Sequence, residues 1–264
     1  MWNSCILALC LILGVPGFAQ ETAPPPQLLS GEGLAIGEAD RTVRLYGETS
    51  QETPMGSLAK LVWLRLEGED WSALDPSFKC TGKMGPYHCW LAAGHGKVNL
   101  AKATQESCNL AYLAWTMESA DRWKRHYGEG AARTRLEEVF RPFLGNRLPP
   151  GDKLPEMTPE WVGEGDLLRT SPEAMLEWLM DPSQESMRER AKRVLLGFFT
   201  VEFKTDPWWM KTGTAAVLSD PAATSAWVVG SNGRTIAVLR LPRGRGKAEG
   251  LERFQTLMGL PRKK

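Results

Sequence analysis

The stretch Ser57-Leu58-Ala59-Lys60-Leu61-Val62-Trp63-Leu64 joins a Ser/Lys pair to an unbroken apolar run, and its reading decides the fold. Pro54 and Gly56 punctuate the chain just before it, and Gly68 supplies a stop. Apolar residues on most sides predict a short, buried helix. Ser57 and Lys60, three residues apart, then share one helix face. A serine hydroxyl needs a neighbouring base to act as a nucleophile, and a lysine amine can be that base only when uncharged. Burial beneath the helix and the positive charge of Lys211 would both lower the pKa of Lys60, by desolvation and by like-charge repulsion. Ser57 at a helix start also places its backbone N–H where a developing oxyanion could be held.

Working outward, two further strings follow in order: Ser107-Cys108-Asn109 and Lys211-Thr212-Gly213-Thr214. Each alone is a common turn or strand end. Together they match the S-x-x-K, S-x-N and K-T-G signature of penicillin-interacting serine acyltransferases. Between them, Phe78-Lys-Cys-Thr-Gly82, His88-Cys-Trp90, Gly94-His-Gly96, Val98-Asn-Leu100 and Glu106-Ser-Cys-Asn109 resemble the transpeptidase domain of penicillin-binding proteins. Residues 163–172 resemble that family's glycine-rich stretch before a Thr-Pro helix. The likeness runs over residues 54–241 and is poorest across 118–160.

The resemblance implies an α/β (α+β) fold, with an antiparallel sheet flanked by helices and an attached helical lobe. It also implies roles. Ser57 would be acylated by a D-Ala-D-Ala-type peptide or a β-lactam, with Lys60 as general base. Ser107 would relay the proton to the leaving group, and Asn109 would bond the substrate amide. Lys211 and Thr212 would set the electrostatics and bind the substrate carboxylate. Thr214 would add a second oxyanion-hole N–H, and Gly213 would admit substrate to the strand edge. No metal or organic cofactor is called for. A class D-like β-lactamase is the rival enzyme, favoured by the compact interval between Ser107 and Lys211. Against it, Asn109 stands where that family usually has an apolar residue around a carboxylated lysine, and Tyr127-Gly128 is followed by Glu129 rather than Asn. The non-enzymatic rival is a penicillin-binding sensor or scaffold.

Composition leaves these readings open and closes others. The 264 residues, 42% hydrophobic, suffice for one sizeable core. With 32 basic and 31 acidic side chains the formal charge is +1, so no global field argues for nucleic acid. Residues 1–19 read as an export signal, an apolar run ending in Gly17-Phe18-Ala19, although no Lys or Arg precedes it. The chain is therefore expected outside the cytoplasm, either freed by cleavage or held at a membrane by an uncleaved leader. Oligomeric state is not legible. Residues 20–30 read as a flexible lead-in to a transpeptidase-like domain over 31–264.

Cys80, Cys89 and Cys108 lie beyond the leader. The spacing of Cys80 and Cys89 around Gly82, Gly85 and Pro86 suits a small disulfide-closed loop, worth about 2–3 kcal/mol in the loop-entropy model. A zinc site with His88 and His95 is the alternative, but its spacing fits no standard pattern. His95, between two glycines, reads as a structural hydrogen-bonder.

A strand is expected over 42–46, helices over 98–103, 110–117, 171–179 and 188–199, and a polar helical region over 118–160. In the C-terminal third, 208–216, 225–229 and 235–241 read as strands, with Asp220-Pro221 and Asn232-Gly233 as turns. An amphipathic helix over 248–258 and a basic tail close the chain. Glu164 and Asp166 read as turn or cap residues, and Arg240, Arg243, Arg245 and Lys247 as a solvated loop. Trp208 and Trp209 alternate across a strand, one facing the cleft and the other the core.

Overall fold

The structure, a computed structural model, describes residues 25–66, 77–148, 150–196 and 207–261. The export signal, the start of the lead-in, Gly68, the end of the 188–199 helix and the basic tail lie outside the described residues. A five-stranded antiparallel sheet is built from β1 (Gly33–Glu38), β2 (Val43–Gly47), β3 (Trp209–Val217), β4 (Asp220–Ser231) and β5 (Thr235–Leu241), in the order β2-β1-β5-β4-β3. The helices are α1 (Ala59–Leu64), α2 (Leu100–Gln105), α3 (Asn109–Tyr127), α4 (Glu129–Leu144), α5 (Pro172–Met180), α6 (Glu185–Leu195) and α7 (Leu251–Leu257). The mixed architecture is the expected antiparallel sheet between helices.

Period-2 alternation explains how the sheet serves two cores. On β5, Val238 faces the large core shared with α1, α3, α4 and α5, whereas Ala237, Leu239 and Leu241 face a smaller one capped by Phe254 of α7. Trp209 and Trp208 divide the same way, so both are core residues and neither lines the pocket that holds Ser57. The Asn232-Gly233 hairpin forms as expected. Gly233 takes φ +88°, and Asn232 Oδ1 accepts from the backbone of Arg234 and Thr235 at 3.0 and 2.8 Å. The other turn falls earlier than expected, at Leu218-Ser219, and Asp220 already belongs to β4, where the register shifts before Thr224.

Aromatic packing holds the helical lobe on α1. Trp63 lies 4.9 Å from the Phe140 ring of α4, and Phe140 lies 5.4 Å from Trp161. Such pairs add about 0.5–1.5 kcal/mol each beyond their buried area. Trp63 Nε1 also donates to the Trp161 carbonyl at 2.7 Å, so the loop around residue 161 is pinned beneath α1. At α5, Ser171 accepts from Ala174 N at 3.1 Å with Pro172 in the first turn, as the Ser-Pro pair predicts.

The basic cluster does not behave as one solvated loop. Arg240 is buried and donates to the Gly31 carbonyl at 3.0 Å, with Glu48 at 3.5 Å, because even-numbered β5 residues point into the large core. Arg243 pairs across an exposed turn, with Asp220 at 3.1 Å.

Candidate active site

Ser57 sits in a single 3-10 turn, Gly56–Leu58, that runs into α1. Two glycines make room for it. A Cβ on Gly163 would stand 1.9 Å from the Gly56 carbonyl oxygen, and one on Gly56 would stand 2.5 Å from that of Thr214. Both have positive φ, +99° and +56°, which only glycine adopts freely. The turn is therefore wedged between the 159–163 loop and β3. Trp227 Nε1 on β4 holds the Pro54 carbonyl at 3.0 Å just ahead of it.

Lys60 projects inward from α1 and is fully buried. Its Nζ donates to Asn109 Oδ1 at 2.6 Å and to the Val162 carbonyl at 3.0 Å, and lies 3.3 Å from Ser57 Oγ. Two fixed acceptors use two amine hydrogens. A neutral amine then has its lone pair free for the Ser57 hydroxyl. Burial lowers the Lys60 pKa to about 8, against an opposing pull from the Glu164 carboxylate and from Cys108 and Cys89. The Tyr112 ring lies 5.4 Å from the amine. Glu164, read from sequence as a turn residue, accepts from Asn109 Nδ2, so Asn109 bridges the carboxylate and the amine.

Across the cleft, Lys211 on β3 is also buried, and its Nζ donates to Ser107 Oγ at 2.7 Å and to the Thr212 carbonyl. Burial first, then the charge of Lys60, pushes its pKa well below the lysine range. The like-charge effect expected at Lys60 thus appears at Lys211. Ser107 is held at φ +53°, a conformation rare for a residue with a side chain. Ser57, Ser107, Asn109, Thr212, Gly213 and Thr214 line one cleft of about 520 Å³. Gly213 would meet Met55 and Leu58 if it carried a Cβ, at 3.1 and 3.3 Å, so its missing side chain admits the turn that carries Ser57. Thr214 Oγ1 accepts from Gly246 N at 3.0 Å.

Five lining residues were not assigned to this cleft from the sequence: Gln105 and Glu106, Trp90, which was read only as part of the family likeness, and Arg245 and Lys247, which were read as a solvated loop. Trp90 forms a lip, its Nε1 donating to the Glu106 and Ser107 carbonyls at 3.2 Å. Arg245 and Lys247 line the other side. A Trp-rich chain gives no local sign that this one faces a cleft, and the two cations arrive only because the 246–250 turn packs on β3.

The expected Cys80–Cys89 disulfide is not present: Cys80, Cys89 and Cys108 are all free and buried. A fourth group joins them. His95 Nδ1 lies 3.7 Å from Cys80 Sγ and 3.4 Å from Cys89 Sγ, and Cys108 completes a cluster whose ligand atoms all lie within 4.8 Å. A hydrogen bond from Cys108 lowers the Cys89 pKa to about 4, and that bond and burial raise Cys108.

No protein-family model and no curated protein matches the chain. Solved structures do. A class D β-lactamase from Bacillus subtilis aligns at 17% identity and TM-score 0.57, over 88% of this chain and 93% of its own. PBP2 of Pseudomonas aeruginosa aligns at 13% and 0.57, over 86% and 72%. The C-terminal domain of the Bacillus licheniformis BlaR penicillin-receptor aligns at 14% and 0.56, over 86% and 88%. The chain has the fold shared by penicillin-binding transpeptidase domains and class D β-lactamases.

Proposed function

We propose that this chain is an exported serine acyltransferase that forms an acyl-enzyme on Ser57 with a D-Ala-D-Ala-type peptide or a β-lactam. The observation that carries the reading is Lys60: a buried amine, fixed by Asn109 and Val162, 3.3 Å from Ser57 Oγ. Neutral Lys60 takes the Ser57 proton as Oγ attacks the substrate carbonyl. The oxyanion is held by the backbone N–H groups of Ser57 and Thr214. Collapse of the tetrahedral intermediate breaks the C–N bond, and Ser107, bonded to Lys211, passes a proton to the leaving nitrogen. Lys60 returns to the amine by giving its proton into that relay, so the cycle balances without a cofactor.

Persistence of the adduct is part of the proposal. Asn109 Oδ1 stands 2.6 Å from Nζ, the space a carboxyl group on Lys60 would need. Water activation by a carboxylated lysine is thereby denied, and deacylation is slow. Intact-mass spectrometry after penicillin exposure tests this: wild type gains one drug mass that persists, and Ser57→Ala gains none. No adduct on wild type would overturn acyl transfer in favour of a scaffold. Fast nitrocefin turnover would point to the second reading, a class D-like β-lactamase, which the near-complete coverage of those structures favours.

A further inference from the structure

We propose that Cys80, Cys89, His95 and Cys108 form a tetrahedral zinc-class metal site that clamps the Ser107-Cys108-Asn109 loop to the 78–98 segment. All four side chains are at least nine-tenths buried, at 1%, 6%, 7% and 0% exposure. A disulfide could use only two of the three sulfurs and would leave a buried thiol and a buried imidazole against it. One metal uses all four groups. With Zn–S near 2.3 Å and Zn–N near 2.0 Å, tetrahedral geometry sets N···S at about 3.5 Å and S···S at about 3.8 Å. The His95 Nδ1 distances of 3.7 and 3.4 Å bracket the first figure, and the 4.8 Å limit on the whole cluster accommodates the second.

The backbone is shaped to bring these ligands together. Cys80 ends a short strand, Phe78–Cys80, paired with Gly96–Val98, which places Cys80 opposite Gly96 and beside His95. Cys89 follows the Lys83–Met84 and Tyr87–His88 hairpin, and its N–H bonds the Gly82 carbonyl at 2.9 Å. Gly82 and Gly94 pass so closely that a Cβ on either would stand 2.0 Å or 2.3 Å from backbone oxygen. Cys108 comes from outside this knuckle, as the residue before α3. Three thiolates and a neutral imidazole suit zinc over magnesium or calcium, which take oxygen ligands. The site is separate from the acylation chemistry, and its role is positional: the fourth ligand lies between Ser107 and Asn109.

The test begins with the full chain purified from zinc-supplemented medium, assayed for metal by mass spectrometry of the elements. The expected result is one zinc per chain in wild type and in Ser57→Ala, with at least ~10-fold weaker retention in Cys108→Ser. Cobalt(II) added to metal-free wild type should give thiolate-to-cobalt charge-transfer and tetrahedral d–d bands. Hydrogen exchange should show residues 105–110 losing protection on zinc removal and regaining it on readdition. Zinc retained by Ser57→Ala without acylation separates this proposal from the functional one. Wild type without metal that is two hydrogens lighter than the reduced chain would overturn the site in favour of a disulfide. A metal-bearing wild type whose 105–110 segment exchanges alike with and without zinc would overturn the clamp.

Discussion

Lys60 turns the chemistry into a pH dependence. Its pKa of about 8 is set by burial, opposed first by the Glu164 carboxylate and then by Cys108 and Cys89, and Lys211 lies across the cleft. On the proposed mechanism, acylation needs the neutral amine. The acylation rate should therefore rise with pH through about 8 and then level, measured as penicillin acylation from about pH 6 to about pH 10. Glu164→Gln removes the largest influence opposing the shift, so the limb should move to lower pH; an unmoved limb would detach Glu164 from the base. The same shift acts on folding. A lysine whose pKa falls from 10.5 to about 8 on folding destabilises the protein below about pH 8, by on the order of 3 kcal/mol. That cost is released as pH rises from about 8 toward 10.5, so the urea midpoint should climb over this interval.

At the scale of elements, the turn that carries Ser57 depends on what its neighbours lack. Gly163→Ala would force a Cβ into the Gly56 carbonyl at a residue with φ +99°. Strain of this kind costs about 1–3 kcal/mol before any clash is relieved. Because relief moves the turn that carries Ser57, acylation should fall by at least ~100-fold, more than the stability loss read from urea unfolding accounts for. Gly85→Ala, also at positive φ but with open space around it, should cost stability without touching acylation. Sequence alone showed part of this layer. β3 and β5 were legible because their alternation and the Asn-Gly turn are local signals. β1 was not, since Leu34, Ala35 and Ile36 are buried on both faces and Gly33 and Gly37 read as breakers. Those glycines are there because a Cβ would strike the Glu48 carbonyl or the Met180 sulfur. α3 ran ten residues past its expected apolar end, carried by Ser119, Ala120 and Trp123 as a thin buried stripe among charges. The three signature strings were legible as strings, but Glu164 and Trp90 join the site, and the cysteine cluster forms beside it, only through tertiary contact.

On the scale of the whole molecule, charge is balanced overall and unbalanced in the cleft. A formal charge of +1 gives no long-range pull, yet Lys60, Lys211, Arg245 and Lys247 gather around Ser57, with Glu106 and Glu164 as the acidic groups of that region. Such focusing in a low-dielectric cleft favours an anionic substrate, and a peptide ending in a free carboxylate is one. Arg245 and Lys247 are exposed at the rim, so their contribution is steering and is screened by salt. The second-order acylation constant should therefore fall as salt rises across about one Debye length's worth of screening, from roughly 0.02 to 0.5 M. The double variant Arg245→Gln, Lys247→Gln should flatten that dependence and lower the constant by ~3–10-fold, while the limiting first-order acylation rate at saturating penicillin stays unchanged. A matching drop in the first-order rate would place these cations at the reacting carbonyl instead, and the division of labour between buried lysines for chemistry and rim cations for capture would fail.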